Sequence, residues 1–189
     1  CARVITPTKS ADLLFNSPET SPRGLYVLDQ DTRLRPATNF QATIESLDYK
    51  VSLRTNELGI RGPSQKNVTK PSWIALGDSF TMSVQVSEAE YFGSHLGDSL
   101  GVHIWNAGVD GFSTWQSTRR LKQLYGELDI QHVILLFFTG NDFQDNERFL
   151  AMSQMKLPGK SGDPIPRQPT KWWTALLLKH SYIYAHYRI

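Results

Sequence analysis

Three short blocks of glycine and small polar residues carry the side chains best suited to chemistry. They are Gly77–Phe80, Asn106–Gly111 and Thr139–Asp142, spaced about 30 residues apart. Each block directly follows an apolar run, a pattern typical of a buried strand that ends in a loop. Because parallel strands end at one edge of a sheet and ligands bind beyond that edge, we expect the three blocks to form one site.

The residue types in the blocks are those that acyl transfer through a tetrahedral intermediate requires. Ser79 lies in a predicted strand-to-helix turn, where its hydroxyl can be the nucleophile and its N–H can face an oxyanion. Gly111 lets the backbone approach a ligand closely and can offer a second N–H. The side-chain amide of Asn141 can supply a third donor. Two simpler roles stay open, namely Ser79 as a helix N-cap and Asn141 as the cap of its turn.

Three aspartates accompany these residues. Asp78 is expected to bond the backbone near the serine, which is a structural role. Asp110 is a candidate substrate-binding residue that faces either the pocket or solvent, and Asp142 is a second candidate that can also cap the following helix. The histidines and carboxylates lack the spacing of metal ligands, so the sequence predicts neither a metal site nor a cofactor.

The elements that must position the blocks are predicted strands that alternate with helices. Apolar runs predict three strands, and capping patterns predict two helices between them. The last run lacks polar alternation, which predicts a strand covered on both faces. Strands that alternate with helices form a parallel sheet with right-handed crossovers. The predicted strands are 73–76, 102–105 and 133–138, and the predicted helices run from 87 to about 100 and from 113 or 114 to about 125.

A small antiparallel β appendage is predicted ahead of this sheet. Short runs rich in β-branched and aromatic residues are separated by polar turns, and they lie at 26–28, 42–44 and 49–53. The chain therefore divides into a loop-like segment, an appendage with its linker, and an α/β domain. These cover residues 1–23, 24–71 and 72–189.

The last part of the chain is predicted to be a proline-rich loop followed by an amphipathic helix. The loop covers residues 152–170 and the helix covers 172–187. Trp172 and Trp173 open this helix, where they can either line a groove for a sugar or a lipid or pack against a core.

Composition excludes several classes of protein. The 189 residues are 40% hydrophobic, enough for a folded core, and the net charge of +2 gives no basic face for a nucleic acid. The longest apolar run, Val133–Phe138, is far shorter than the roughly 20 residues of a membrane-spanning helix. The single cysteine, Cys1, excludes an internal disulfide and a cysteine metal cluster.

Cys1 is either the lipidated first residue of a processed lipoprotein or the start of a partial reading frame. The first alternative favours an exported or periplasmic protein over a cytoplasmic one.

In order and spacing, the three blocks resemble those of the SGNH, or GDSL-type, hydrolases, which carry Gly-Asp-Ser, Asn-x-Gly-x-x-Gly and Gly-x-Asn-Asp. The segment Arg54–Arg61 is similar to the lead-in of one bacterial branch, and the resemblance covers roughly residues 51–187. It implies a three-layer, flavodoxin-like parallel sheet. It also implies Ser79 as the nucleophile, with the backbone of Ser79 and Gly111 and the side chain of Asn141 as the oxyanion hole. The implied substrates are small-molecule or glycan esters, acetyl esters above all.

The sequence departs from the family in two places. Thr81–Val86 stands where the family often has glycines, which changes the approach to the pocket. The family's base is a histidine in an Asp-x-x-His motif near the end of the domain. His132 has this spacing, but it precedes the third predicted strand, so a six-residue strand would hold it roughly 20 Å from Ser79. A base must lie within about 3 Å of the proton that it takes.

The other histidines offer no better base. His103 begins the second predicted strand and His95 lies in a helix, whereas His180 and His186 lie six residues apart on the last helix. His180 is the first choice among the five. We nevertheless expect the base to lie beyond residue 189, in an α/β domain that the chain contains only in part.

The leading hypothesis is a serine esterase or deacetylase of the SGNH type. An O-acyltransferase, in which a glycan hydroxyl replaces water, is a close alternative. A non-catalytic module that binds glycans or a protein is the alternative from a different class. The sequence carries no signal for an oligomeric state.

Overall fold

A computed structural model describes residues 22–45 and 49–165. The predictions for the first 21 residues, including Cys1, lie outside the described residues. The same holds for the predicted helix 172–187 and for its members Trp172, Trp173, His180 and His186.

Two antiparallel hairpins open the described chain. Strand β1 (Tyr26–Asp29) pairs with β2 (Arg33–Pro36), and β3 (Gln41–Glu45) pairs with β4 (Lys50–Arg54). The predicted antiparallel strands are thereby confirmed. The sequence pattern misses β2 because arginine and proline supply three of its four residues, which gives it neither alternation nor β-branched side chains.

A parallel sheet of three strands follows the hairpins. Its central strand is β5 (Ser72–Leu76), which pairs with β6 (His103–Asn106) on one side and with β7 (Ile130–Leu135) on the other. This confirms the predicted parallel α/β sheet. The outer edge of β6 meets the linker at a bridge between Asn106 and Arg61, whereas no strand among the described residues pairs with the outer edge of β7.

The third strand differs from its prediction in its limits and in the burial of its faces. The prediction placed it at 133–138, but pairing stops where β5 ends, at Leu76 opposite Leu135, so the rest of the apolar run lies beyond the sheet. The strand instead begins earlier, at Ile130. Among the described residues the prediction that both faces are covered is also wrong, since Val133 and Leu135 are 47% and 48% exposed.

Helices connect the strands of the parallel sheet and follow β7. Helix α1 (Ser79–Met82) comes directly after β5, α2 (Phe92–Leu100) leads to β6, α3 (Thr114–Leu124) joins β6 to β7, and α4 (Asp142–Ser153) follows β7. A single turn of 3-10 helix lies in the linker at Gln65–Asn67. Within the described residues, no helix combines the length and hydropathy that a membrane span requires.

The two capping patterns of the sequence have different outcomes. Ser113 is the N-cap of α3, and it exchanges hydrogen bonds with Gln116 in a complete capping box. Ser87 and Glu90 also form the predicted bonds, with 3.0 Å between the Ser87 N–H nitrogen and the Glu90 carboxylate. They close a turn ahead of α2, so this helix begins at Phe92, later than predicted.

Helices α2 and α3 lie on opposite faces of the sheet. Ile104 in β6 lies against Gly97 of α2, whereas the next residue, Trp105, packs with Leu124 of α3. Because successive side chains of a strand point to opposite faces, the two helices cover different sides of β6.

Two hydrophobic clusters form the core, and each one draws residues from both sides of the predicted boundary at 71/72. Ile60 from the linker packs with Ile74, Leu76, Trp105, Ala107, Leu124 and Leu128 in the cluster under α3. Met82 and Val84 from the segment after β5 pack with Leu25, Ile44 and Leu53 between the hairpins. The hairpins and the parallel sheet therefore complete each other's cores.

Candidate active site

The strand register brings the three predicted blocks to one edge of the parallel sheet. Ala75, near the end of β5, pairs with Asn106 on one side and with Ile134 on the other. Beyond the strands, the Val109 N–H donates to the Gly77 carbonyl at 3.1 Å, which joins the first block to the second. The predicted meeting of the blocks at one edge is therefore confirmed.

Ser79 lies in a tight turn that its own neighbours define. It is the first residue of α1, and Asp78 takes the N-cap, with its Oδ1 accepting the Phe80 N–H at 2.9 Å. The N-cap role left open for Ser79 thus belongs to Asp78. The Ser79 side chain is half-buried, and no described residue hydrogen-bonds its hydroxyl.

Gly77 makes the sharp turn into α1 possible. Its φ is +154°, and a Cβ at this position would lie 2.1 Å from the Thr81 hydroxyl and 2.9 Å from the Leu136 carbonyl. Only glycine therefore lets the backbone pass between α1 and the end of β7.

Arg61 holds the far end of the Ser79 turn. Its guanidinium is buried and donates to the carbonyls of Met82 at 2.6 Å, Ser83 at 2.5 Å and Val86. The side chain of Asn106 also donates to the Met82 carbonyl, at 3.3 Å. These donors satisfy carbonyls that a helix of one turn leaves unpaired. Burial lowers the pKa of Arg61, but a guanidinium keeps its charge in proteins.

The segment Thr81–Val86, which departs from the family pattern, serves as the anchor of this turn. Thr81 and Met82 are fully buried, Val84 is 3% exposed, and Ser83 has a left-handed φ of +51°. Sequence reasoning placed Arg61 only in the lead-in segment Arg54–Arg61 and gave it no role, because a lone arginine beside one apolar residue gives no periodic signal.

The second block presents an open backbone at Gly111. Its φ of +71° favours glycine, and nothing lies within 4 Å of the position where a Cβ would be. No described residue accepts a hydrogen bond from its N–H. Gly111 can therefore offer this N–H to a ligand at the edge of the sheet.

Asp110 lies against Tyr26 from the first hairpin. The Asp110 N–H donates to the Tyr26 hydroxyl oxygen at 3.4 Å, and its half-buried carboxylate has one oxygen without a partner. Burial raises the pKa of Asp110, and the interaction of its carboxylate with the Tyr26 hydroxyl opposes this rise. Burial and the neighbouring Asp110 raise the pKa of Tyr26. No local pattern predicts this contact, since 84 residues separate the partners.

Asn141 stands immediately before α4, with its amide already oriented. Its Nδ2 donates to Asp145 Oδ2 at 2.8 Å, its Oδ1 is buried without a partner, and its side chain does not cap the helix. The bond to Asp145 uses one of the two amide hydrogens. The second hydrogen stays available, and the capping role left open for this residue does not occur.

Asp142 closes the turn that carries Asn141. It is buried, and its Oδ2 accepts the Phe138 N–H at 2.7 Å while Oδ1 has no partner. Burial raises the pKa of Asp142, with further increases from Asp78 and Asp145, although the bond from Phe138 opposes them. The bond runs back into the turn rather than onto the helix, and a role in substrate binding stays a prediction.

Two of the described histidines lie at the opposite end of the sheet from Ser79. His132 is inside β7 rather than ahead of it, because the strand begins earlier than predicted, and it pairs with Trp73 at the far end of β5. His103 pairs with Ser72 at that same far end, where burial and Lys70 lower the pKa of its imidazole. Neither side chain is therefore within hydrogen-bond reach of Ser79. His95 is exposed on α2 and has no described hydrogen bond that links it to Ser79.

Among residues 22–45 and 49–165, no group of three or more His, Cys, Asp or Glu side chains could hold a metal ion. Comparison of the chain with models of protein families and with curated proteins finds no match. The resemblance to the SGNH hydrolases therefore depends on the three blocks and the lead-in segment Arg54–Arg61 alone.

Proposed function

We propose that the protein is a serine hydrolase that acts on carboxylic esters, with acetyl esters as the first substrates to test. One observation carries this proposal: the Ser79 hydroxyl and the Gly111 N–H stand at the same sheet edge without internal partners. One amide hydrogen of Asn141 is also available at this edge. A nucleophile with unpaired donors around it suits a reaction that develops negative charge on an oxygen.

The proposed cycle has two halves. The Ser79 oxygen attacks the ester carbonyl carbon, and the Ser79 and Gly111 N–H groups and the Asn141 amide stabilise the resulting oxyanion. Collapse of this intermediate breaks the bond to the alcohol and leaves an acyl group on Ser79. Water then attacks the acyl-enzyme, releasing the acid and restoring the serine. We assign the base to a residue outside the described ranges, where His180 and His186 also lie.

We also propose that the parallel sheet belongs to a three-layer, flavodoxin-like fold of the SGNH type. The strand order β6–β5–β7 and the helices on opposite faces of β6 support this proposal.

The decisive experiment measures turnover of p-nitrophenyl acetate by the full-length protein. Ser79→Ala should reduce the rate by a factor of at least about 10³, because only binding and the oxyanion donors remain. Ser99→Ala is the matched control, since this exposed serine on α2 bonds only its own helix, and it should keep the parental rate. Equal loss in both variants, or a fully active Ser79→Ala protein, would reject Ser79 as the nucleophile.

Labelling with a fluorophosphonate tests the reactivity of the Ser79 hydroxyl independently of turnover. Mass spectrometry should find one modified residue, Ser79, even if hydrolysis of the acyl-enzyme is slow. A protein that neither turns over esters nor reacts with the label would favour the non-catalytic alternative. Transfer of the acyl group to a glycan acceptor in preference to water would favour the acyltransferase.

A further inference from the structure

A recess on the outer side of α3 is a second candidate site, separate from the Ser79 turn. It lies between α3 and the turn that joins β1 to β2, and its volume of about 450 Å³ is within the range of small-molecule sites. We call it the α3 groove. It is lined by Asp31, Trp115, Thr118, Arg119, Lys122 and Gln123.

The helical part of the lining forms one continuous face. Trp115, Arg119 and Lys122 are related by steps of four and three residues, which places them in a row along α3. At 1.5 Å per residue, the row is roughly 10 Å long, a length comparable with that of a disaccharide. The groove therefore offers an aromatic side chain at one end and a cation at the other.

Trp115 presents its indole to solvent from a fixed backbone. The side chain is 57% exposed, and its backbone N–H donates to Asn146 Oδ1 at 3.2 Å. The face of an indole carries partial negative charge, so it attracts the electropositive C–H groups of a pyranose ring. No large apolar side chain other than Trp115 lines the groove, which favours a sugar over an apolar peptide side chain.

The cationic end of the groove is partly preorganised. The Arg119 guanidinium carbon lies 5.5 Å from the centre of the Phe149 ring, and its Nη1 lies 3.5 Å from the Asp31 carbonyl oxygen. Gln123 fixes the opposite wall by donating to the carboxylates of Asp29 at 3.0 Å and Asp31 at 3.3 Å. A ligand would therefore meet a side chain that has already lost part of its freedom.

The charge balance of the groove favours an anion. Arg119 and Lys122 supply two positive charges, and the carboxylate of Asp31 offsets one of them. A carboxylate or a sulfate can pair with a guanidinium through two parallel hydrogen bonds.

We propose that the α3 groove binds an acidic saccharide, with a sugar ring on Trp115 and the acidic group between Arg119 and Lys122. This site does not depend on the ester chemistry proposed for Ser79. The test therefore measures binding alone, in the full chain carrying Ser79→Ala.

Isothermal titration calorimetry with trigalacturonate tests the proposal, with maltotriose as the neutral saccharide of equal length and triglutamate as the acidic peptide. Trigalacturonate should bind about tenfold more tightly than either comparison ligand, and added salt should weaken its binding. Trp115→Ala and Lys122→Gln should each weaken it about tenfold, as loss of one well-placed contact does. Tyr125→Ala is the matched control, because this tyrosine is 76% exposed at the end of the same helix but lies outside the groove. This variant should bind trigalacturonate with the parental affinity.

Three results would overturn the proposal. Absence of trigalacturonate binding at millimolar concentration would reject the site. Binding that survives both Trp115→Ala and Lys122→Gln would place the saccharide elsewhere on the protein. Equal affinity for maltotriose or for triglutamate would reject an acidic saccharide as the ligand.

Discussion

The turns that carry Ser79 and Asn141 end neighbouring strands of one sheet, yet they are held in different ways. The Ser79 turn follows the buried strand β5, and Arg61, from a segment about 20 residues earlier, ties down its far end. The Asn141 turn follows the half-exposed strand β7, and carboxylates of its own helix, Asp142 and Asp145, hold it.

The two halves of the candidate site are therefore organised differently. Ser79 is positioned by long-range packing, so its geometry depends on the whole fold. Asn141 is positioned by bonds within four residues, so its geometry depends on local structure and on whatever covers β7.

Removal of the Arg61 side chain should destabilise the protein most. Arg61→Met leaves the carbonyls of Ser83 and Val86 without their donor and leaves the Met82 carbonyl with Asn106 alone. We expect a loss of about 3–5 kcal/mol in the free energy of unfolding, measured with urea. Arg54→Met is the control, because Arg54 is 53% exposed and pairs with Glu88 at the surface, where a salt bridge contributes about 0–1 kcal/mol. Similar losses in both variants would contradict a special role for Arg61.

A matched pair of leucines compares the two strands directly. Leu76 in β5 and Leu135 in β7 are neighbours in register, but they are 2% and 48% exposed. Leu76→Ala should cost about 2–5 kcal/mol of unfolding free energy, whereas Leu135→Ala should cost less than about 1 kcal/mol. If both substitutions cost the same, a segment outside the described residues covers β7 in solution.

The smallest expected effect concerns the pH dependence of the Asn141 turn. Because burial raises the pKa of Asp142, the folded protein holds this proton more tightly than the unfolded chain does. The contribution of Asp142 to stability should therefore fall as pH rises from the ordinary value of 3.8 up to the raised pKa. Asp142→Asn keeps an oxygen to accept the Phe138 N–H and removes the titration.

The measurement compares the unfolding free energy of Asp142→Asn with that of the parent across this pH window. The variant should gain stability relative to the parent as pH rises, and the gain should level off above the raised pKa. A difference that does not change with pH would mean that Asp142 has an ordinary pKa.

The sequence predicted the parts of the fold that local patterns determine. Apolar runs located β5 and β6 to within one or two residues, and the expected cap at Ser113 or Thr114 located the start of α3. The limits of β7 could not be read in this way, because they depend on where its partner β5 ends. An apolar run does not reveal whether a neighbour will cover it, which is why the predicted burial of β7 was wrong.

The candidate site shows the same division. The three blocks and their common edge follow from glycine and polar residues placed after apolar runs. Arg61 reaches the site from the segment after the second hairpin, and Tyr26 reaches it from the first hairpin. The contacts of Arg61 with the Ser79 turn and of Tyr26 with Asp110 produce no periodic pattern in the sequence. Long-range contacts of single polar side chains were therefore the part that sequence reasoning missed.

The exchange of core residues between hairpins and sheet has a consequence for the order in which the chain folds as it is made. The hairpin strands leave the ribosome first, but their cluster lacks Met82 and Val84 until some thirty residues later. The cluster around Ile60 is likewise incomplete until Leu124 and Leu128 have been synthesised. The emerging protein must therefore carry an incomplete hairpin core until synthesis has passed the Ser79 turn, and the turn and its support are completed together.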